Sequence, residues 1–230
     1  MLSMYPRQQH KNSHTTCIQM YCGHCSSHKI RWVTGIYIRI YGFVSDTKKI
    51  TIVIAGFTGA GKSHSAKKAA KELRIPWNDS DVMIEDSFGM HIPAIFENMG
   101  ETSFRNAEKD IIANILKEQT STTILSIGGG ALATKETRNI INSHGILIWL
   151  DISLESALRR IHKCSNRPLF QADRFSSEQE QNKFLQNLFN TRYEIFKNAA
   201  DYRIDAELPL RDVVRKIIVF IKDSNLLDKR

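Results

Sequence analysis

The chain has 230 residues, of which 42% are hydrophobic and 24% are charged. This composition is ordinary for a globular protein and unlike that of a disordered one. The length favours one catalytic domain with an extension. No run approaches the roughly 18 uninterrupted apolar residues that a membrane-spanning helix needs, which argues against an integral membrane protein.

Most of the positive charge lies near the N-terminus. Residues 1–48 contain six basic residues and one acidic residue, so they contribute +5 to the net charge of +8. Such a segment could contact nucleic acid or an acidic membrane surface. The remainder is mildly basic, as an enzyme of phosphorylated ligands requires, and it contains no recognised motif for reading nucleic acid. We therefore expect no nucleic-acid partner and no membrane partner.

Residues 1–48 also contain three of the four cysteines. Cys17, Cys22 and Cys25, with His28 following, could form a small zinc site, but their spacing is irregular and no second paired half exists. A flexible leader, or a start codon placed too far upstream, explains the segment better. We predict an N-terminal extension over 1–48 and a catalytic domain over 49–230. With Cys164 alone in that domain, we expect no disulfide scaffold and a cytoplasmic location.

From Lys49 onward, short apolar runs alternate with helical patterns. Continuous apolar strands separated by helices predict a parallel sheet of five strands with helices on both faces, which is an α/β fold in three layers. The predicted strands are Ile50–Ala55, Ile75–Asn78, Thr122–Ile127, Ile146–Leu150 and Tyr202–Ile204. The predicted helices run from the turn after the first strand to about Arg74, over Ser103–Lys117, over Ser153–His162 and over Leu208–Lys222.

A phosphate-binding motif follows the first predicted strand. The sequence from Gly56 to Ser63, Gly-Phe-Thr-Gly-Ala-Gly-Lys-Ser, satisfies the pattern G-x-x-x-x-G-K-[ST] between a strand and a helix. Backbone amides of such a loop hold phosphate oxygens, the lysine supplies charge, and the serine is a magnesium ligand. We therefore predict ATP and Mg²⁺ as ligands. The expected nucleotide-binding residues of the loop are Gly59, Ala60, Gly61, Lys62, Ser63 and His64.

Two further patterns lie at strand ends, where open α/β sheets bind ligands. Asp79 and Asp81 follow the second strand, and in an extended segment both would point the same way, one toward magnesium and one toward an acceptor hydroxyl. Alone, Asp-Ser-Asp is as often a turn or a helix cap. Gly128, Gly129 and Gly130 end the third strand and suit close approach of the backbone to a ligand.

With these motifs in this order, the chain resembles the shikimate kinases, a family of P-loop folds, from about Lys49 to Lys222. The resemblance includes Gly-x-Thr-Gly-x-Gly-Lys-Ser, Asp-Ser-Asp, Gly-Glu-x-x-Phe-Arg-x-x-Glu over 100–108, Gly-Gly-Gly-Ala, and Asn-Arg-Pro-Leu over 166–169. It implies ATP-dependent phosphorylation of a shikimate hydroxyl to shikimate 3-phosphate, in the chorismate pathway of aromatic amino acid biosynthesis, by a monomer.

The resemblance also implies roles for single residues. Asp79 would act on magnesium with Ser63, and Asp81 would bind the shikimate hydroxyls. Arg105, which Glu108 would orient, and Arg192 would hold the carboxylate, and Gly128 to Gly130 would lie against shikimate. Arg160 would pack on adenine. Arg167 would contact the transferring phosphate from a mobile lid at about 165–182, opposite a substrate-binding segment at about 79–108. The expected catalytic residues are Lys62, Asp81 and Arg167.

Three departures from the family pattern accompany these expectations. His64 stands where a second hydroxyl residue is usual, Phe196 stands where tyrosine is common in a segment that also lacks the usual proline, and residues 1–48 have no counterpart. Two alternatives stay open. One is another small-molecule P-loop kinase, such as a gluconate kinase, and the other is a non-catalytic kinase-like binding module.

Overall fold

The fold was obtained as a computed structural model, which describes residues 49–161, 175–224 and 226–227. Five strands form one sheet, and all four neighbouring pairs are parallel, in the order β2-β3-β1-β4-β5. The strands are β1 (Thr51–Gly56), β2 (Trp77–Asp79), β3 (Thr123–Ser126), β4 (Gly145–Asp151) and β5 (Tyr202–Asp205). The predicted five-stranded α/β fold is confirmed.

In the described residues, seven α-helices connect or follow the strands. They are α1 (Lys62–Leu73), α2 (Ser80–Phe88), α3 (Ile92–Lys117), α4 (Lys135–His144), α5 (Leu154–Ile161), α6 (Glu178–Ala199) and α7 (Leu210–Asp223). Helices α1 and α7 pack together, and α3 packs on α4. Because parallel crossovers are right-handed, these two pairs lie on opposite faces of the sheet. The result is the three-layer arrangement expected from the sequence.

The central strand β1 is fully buried along its length, which explains its unbroken run of β-branched and small residues. The phosphate loop begins at its carboxyl end. The neighbouring strands β3 and β4 pair with it in register, Ile54 opposite Ser126 and Ile148. The loops that follow β1, β2 and β3 therefore open at the same edge of the sheet.

Helix α3 contains a break that the sequence prediction did not find. It begins at Ile92 with Pro93 in its first turn, and Gly100 interrupts it with φ 78° and ψ 166°. The predicted helix, Ser103–Lys117, corresponds only to the part after this break. The part before it packs with α2 around a small cluster of Ile84, Ile95 and Phe104. Two short helical pieces thus form a separate support beside the end of β2.

Other differences concern polar segments. The sequence did not predict α2, α4 or α6, and β2 begins two residues later than expected and includes Asp79. Helix α6 begins inside the predicted lid, so residues 178–182 of that segment are helical. Residues 175–177 of the predicted lid are described but not helical. Residues 165–174 of it lie outside the described residues, as does the extension over 1–48. No helix in the described part of the chain is both long and apolar enough to cross a bilayer.

Candidate active site

The phosphate loop is built by the turn between β1 and α1. Gly59 and Gly61 have φ values of 86° and 85°, a conformation that residues with a Cβ rarely adopt. Gly61 is the N-cap of α1, so Lys62, Ser63 and His64 form the first turn of that helix. The side chains of Ser63 and His64 are exposed. The loop thus presents the N-terminus of a helix, a lysine and a hydroxyl, the components from which anion sites are made.

Arg160 lies beside this loop. From α5 its guanidinium donates to the carbonyl oxygen of Gly59 at 3.3 Å and to that of Ala206 at 2.9 Å. It therefore connects the phosphate loop to the segment after β5. In that segment, hydrogen bonds from Ser156 and Ser153, together with the charge of Arg160, lower the pKa of Glu207 to about 2. Glu207 is thus anchored near Arg160.

Several side-chain oxygens lie near the ends of neighbouring strands of the sheet. The hydroxyl oxygens of Ser63 and Ser126 are 3.5 Å apart. Asp79 is the last residue of β2 and only 7% exposed, and its Oδ1 accepts a hydrogen bond from the backbone N–H of Asp81 at 3.0 Å. Ser126 was not found from the sequence, although a hydroxyl residue closing a buried strand just before a Gly-rich turn is a usable signal.

The predicted geometry of the aspartate pair is wrong. Asp79 and Asp81 do not lie on one face of an extended segment, because Asp79 is the N-cap of α2 and Asp81 is in its first turn. A short side chain that accepts from a backbone N–H two residues later favours a helix start over a longer strand. The cap turns Asp81 away from Asp79 and into the neighbouring group of charged residues.

That group surrounds the three glycines after β3. A Cβ placed on Gly128 would lie 2.6 Å from Oε1 of Glu108 and 2.8 Å from Oδ1 of Asp81. One on Gly130 would lie 2.8 Å from a terminal nitrogen of Arg105, and one on Gly129 would lie 3.1 Å from the hydroxyl of Thr58. The absence of a Cβ therefore leaves room for a different side chain at each glycine. At Gly129 that side chain is Thr58, so the phosphate loop lies against the glycine turn.

Ser80 holds this turn in place. Its hydroxyl is fully buried and accepts a hydrogen bond from the backbone N–H of Gly128 at 3.1 Å. The bond ties the start of α2 to the glycine turn, so Asp81 and Gly128 are fixed relative to each other. Sequence reasoning treated Ser80 only as the residue between two aspartates, and nothing in the pattern marks its partner.

Arg105 is held by two carboxylates of its own helix. It donates to Oε2 of Glu108 at 2.6 Å and to Oε1 of Glu101 at 3.3 Å. Glu108 is 3% exposed, and its Oε1 has no hydrogen-bond partner among the described residues. Burial raises the pKa of Glu108 and the charge of Asp81 adds to this, whereas Arg105 and Arg192 oppose it. The Glu108–Arg105 pair predicted from the sequence is therefore present.

Arg192 reaches the same group from α6. Burial and the neighbouring charge of Arg105 lower its pKa to about 10, while Glu108 and Glu101 partly offset the effect. Two guanidinium groups thus face one site at the end of β3, with Asp81 beside them. Of the site residues predicted from the sequence, all but Arg167 lie within the described residues. The structure places the nucleotide set around the β1–α1 loop and the acceptor set around Gly128–Gly130, and the two sets adjoin at Gly129.

The chain is similar to known proteins over most of its length. A family model described as Shikimate kinase matches residues 58–222. The shikimate kinase of Francisella tularensis subsp. novicida is 34% identical over 182 residues, covering 79% of this chain and 98% of the relative.

Among solved structures, shikimate kinase from Acinetobacter baumannii in complex with shikimate is 31% identical. It has a TM-score of 0.68 and covers 78% of this chain and 97% of its own. The Aquifex aeolicus shikimate kinase is 30% identical, with a TM-score of 0.62 and coverage of 77% and 99%. From the match of the family model over most of its length, this chain belongs to the shikimate kinase family.

Proposed function

We propose that this protein transfers the γ-phosphoryl group of ATP to a ring hydroxyl of shikimate, giving shikimate 3-phosphate for aromatic amino acid biosynthesis. The observation that carries the proposal is the junction at Gly129, where a phosphate loop adjoins a site with two guanidinium groups and a carboxylate. Its members are Arg105, Arg192 and Asp81. A kinase that phosphorylates a small hydroxy acid needs a phosphate loop, cations for the acid group and a carboxylate for the hydroxyl side by side.

The nucleotide half holds the phosphates of ATP through the backbone of Gly59, Ala60 and Gly61 and through Lys62. Lys62 Nζ donates to the carbonyl oxygen of Phe57 at 3.3 Å, within reach of the loop that would bind the phosphates. His64 is exposed on the same helical turn, and Arg160 borders the nucleobase end. Arg167, which lies outside the described residues, is assigned from the family motif as a further contact to the transferring phosphate.

The oxygen ligands around Ser63 fit Mg²⁺. Mg²⁺ is usually held by one or two protein oxygens, with water and substrate phosphates completing its shell. Ser63, Asp79 and the nearby Ser126 supply such oxygens, and no group of three His, Cys, Asp or Glu side chains in the described residues competes for a metal. When bound, the ion would neutralise phosphate charge. Ser63 and Asp79 are the residues we assign to hold it.

The acceptor half binds the carboxylate of shikimate between Arg105 and Arg192. Arginine pairs with a carboxylate in a planar fork. Arg192 is half-buried, and the nearby charge of Arg105 helps to lower its pKa, so an anion between the two arginines would bring compensating charge. The backbone of Gly128, Gly129 and Gly130 forms the wall against which the ring lies. The Acinetobacter baumannii structure, which is in complex with shikimate, supports this class of acceptor.

Phosphoryl transfer needs positioning and charge stabilisation more than covalent help from the protein. Asp81, fixed by the helix start at Asp79 and by the Ser80–Gly128 hydrogen bond, orients the acceptor hydroxyl and accepts its proton. The hydroxyl oxygen attacks the γ-phosphorus in line as the bond to the β-phosphate oxygen breaks, and ADP leaves. Lys62 and Arg167 offset the charge on the equatorial oxygens.

We place this reaction in the cytoplasm, in a monomer with no nucleic-acid partner. The composition supports the location, since Cys164 is the sole cysteine after residue 48 and no disulfide scaffold is expected. The N-terminal extension, residues 1–48, is assigned no part in the chemistry.

A coupled assay of ADP release tests the proposal. The acceptors are shikimate, shikimate with its carboxylate replaced by an amide, and gluconate. We expect turnover with shikimate and a large loss with the amide. Faster turnover with gluconate would favour the other small-molecule kinase, and equal rates with acid and amide would refute the role of the arginine pair. No ADP release with any acceptor would favour a non-catalytic binding module.

A further inference from the structure

Arg192 and Arg105 are supported in different ways, although both face the same site. Arg105 contacts two carboxylates, Glu101 and Glu108. Arg192 has no ion pair with any carboxylate in the part of the chain that the structure describes. Its guanidinium carbon instead lies 5.6 Å from the ring centre of Phe57. Arg192 is half-buried, and a cation over an aromatic face is attracted by the quadrupole of the ring.

Phe57 is itself firmly held. It is the second residue of the phosphate loop and 2% exposed, and Phe189 of α6 meets its ring edge-on at 5.1 Å. Residues 189, 192, 193 and 196 share one face of α6 because they are spaced three and four apart. On that face Tyr193 and Phe196 pack on Trp149 of β4, at 5.1 and 6.1 Å. The ring under Arg192 is therefore fixed by both the helix and the sheet.

We propose that Phe57 is a positioning residue for the acceptor: its ring, in place of an acid, holds the Arg192 guanidinium toward the shikimate carboxylate. The inference rests on the function proposed above. An acidic partner would compete with the substrate for the guanidinium donors, whereas a ring face engages the cation and leaves the N–H groups at its edge for a carboxylate.

The same residue also belongs to the nucleotide site. The backbone carbonyl of Phe57 accepts from Lys62 and from the backbone N–H of Ala60 at 3.1 Å. The backbone of one residue thus supports the phosphate loop, and its side chain supports the acceptor site. Replacing only the side chain should separate these two roles, because the backbone contacts remain.

The test is a titration of the full-length protein with shikimate and, separately, with ADP. The variants are Phe57→Leu, Phe57→Met and the matched control Phe196→Leu, which removes another ring of the same cluster, one that packs on Trp149. We expect both Phe57 variants to weaken shikimate binding about twofold to thirtyfold, the range for a cation over a ring from exposed to desolvated sites, with ADP binding changed less than twofold. The control should keep wild-type shikimate affinity.

A double-mutant cycle with Arg192→Met completes the test. If the ring acts through the cation, Phe57→Leu should cause no further loss of shikimate binding in the Arg192→Met background. The positioning role would be refuted if Phe57→Leu weakened shikimate binding as much in the Arg192→Met background as in the wild type. It would also be refuted if Phe57→Leu weakened ADP and shikimate binding equally, or if Phe196→Leu weakened shikimate binding to the same extent. Thermal melts identify any variant that fails to fold, and Phe57→Met then decides. Failure of the wild type to bind shikimate would instead refute the proposed function.

Discussion

At the scale of single residues, the two arginines of the acceptor site give the most direct prediction. Arg105→Ala and Arg192→Ala should each raise the KM for shikimate by a factor corresponding to about 2 to 5 kcal/mol, because each removes half of a carboxylate clamp. The KM for ATP should change little. Arg211→Ala is the matched control, since the Arg211 side chain is 91% exposed and its one ion pair among the described residues is with Asp212. Equal increases for both substrates would contradict the assignment.

Asp79 combines a structural role with a proposed role at the metal, and two substitutions separate them. Asn keeps the side-chain oxygen that caps α2, whereas Ala removes it at a cost of about 1 kcal/mol. We expect both Asp79→Asn and Asp79→Ala to lose most turnover, and only Asp79→Ala to lower the melting temperature. Turnover is measured over a range of magnesium concentrations. Near-normal turnover in Asp79→Asn would leave Asp79 as a helix cap only.

Glu108 gives a prediction about pH. Its pKa is raised in the folded protein, chiefly by burial, so the folded state favours the protonated form more than the unfolded state does. The resulting stabilisation is complete below the ordinary pKa of 4.5 and is lost as pH rises through the higher folded value. The unfolding free energy of the wild type relative to Glu108→Gln should therefore fall with rising pH over this range. Denaturant titrations of both proteins measure this difference in unfolding free energy. A difference that increases with rising pH would contradict the prediction.

At the scale of elements, Gly100 sets the geometry of the acceptor half. Its φ of 78° and ψ of 166° lie in a region that is essentially restricted to glycine. We expect Gly100→Ala to cost about 1 to 3 kcal/mol of stability and to raise the KM for shikimate, because Arg105 follows the break by one turn. Gly89→Ala is the control. Both positions have nothing within 4 Å of an added Cβ, but Gly89, at φ 64° and ψ 21°, is in the milder left-handed region. Denaturant unfolding and steady-state kinetics of both variants measure the difference.

The elements also show what the sequence could predict. Strands β1, β3 and β4 were found because full burial requires continuous apolar runs. Helix α6 was missed because many of its 22 residues are exposed and polar, and few apolar positions mark its buried face. The start of α3 was hidden by Gly100 and the polar residues around it. Asp79 lies at the predicted strand end, but the chain begins a helix after it instead of staying extended to Asp81. Tertiary contacts such as the hydrogen bond between Ser80 and Gly128 decide between these two conformations.

The candidate residues of the site were easier to single out from the sequence than some of the helices around them. Residues of the phosphate loop, Asp81 and the glycine turn were identified because their chemistry requires particular residue types at fixed spacing. Ser80, Ser126 and Phe57 were not, because each acts through a partner distant in sequence, 48, 63 and 135 residues away. A single sequence contains no signal for the pairing itself, although the position of Ser126 just before the glycine turn marks that residue as a candidate.

At the scale of the whole molecule, the assigned residues all follow the extension. A protein starting near Asp46 should fold and keep its ATP-dependent activity, since every residue assigned to the site lies later in the chain. Thermal melts and turnover of the truncated and full-length proteins, with and without a chelator, are the measurements. A zinc site at Cys17, Cys22, Cys25 and His28 would be favoured if the truncated protein did not fold. It would also be favoured if the chelator shifted the melting temperature of the full-length protein but not of the truncated one.

The close packing around the glycine turn has a consequence for inhibitor resistance. Any other residue at Gly128 or Gly130 brings a Cβ within 3 Å of Asp81 and Glu108 or of Arg105, so these side chains must move. They are the groups assigned to the natural acceptor or to its support. An inhibitor that packs on the backbone of this turn would therefore contact positions where a resistance mutation also disturbs the proposed substrate site. We expect resistance mutations to arise at other positions.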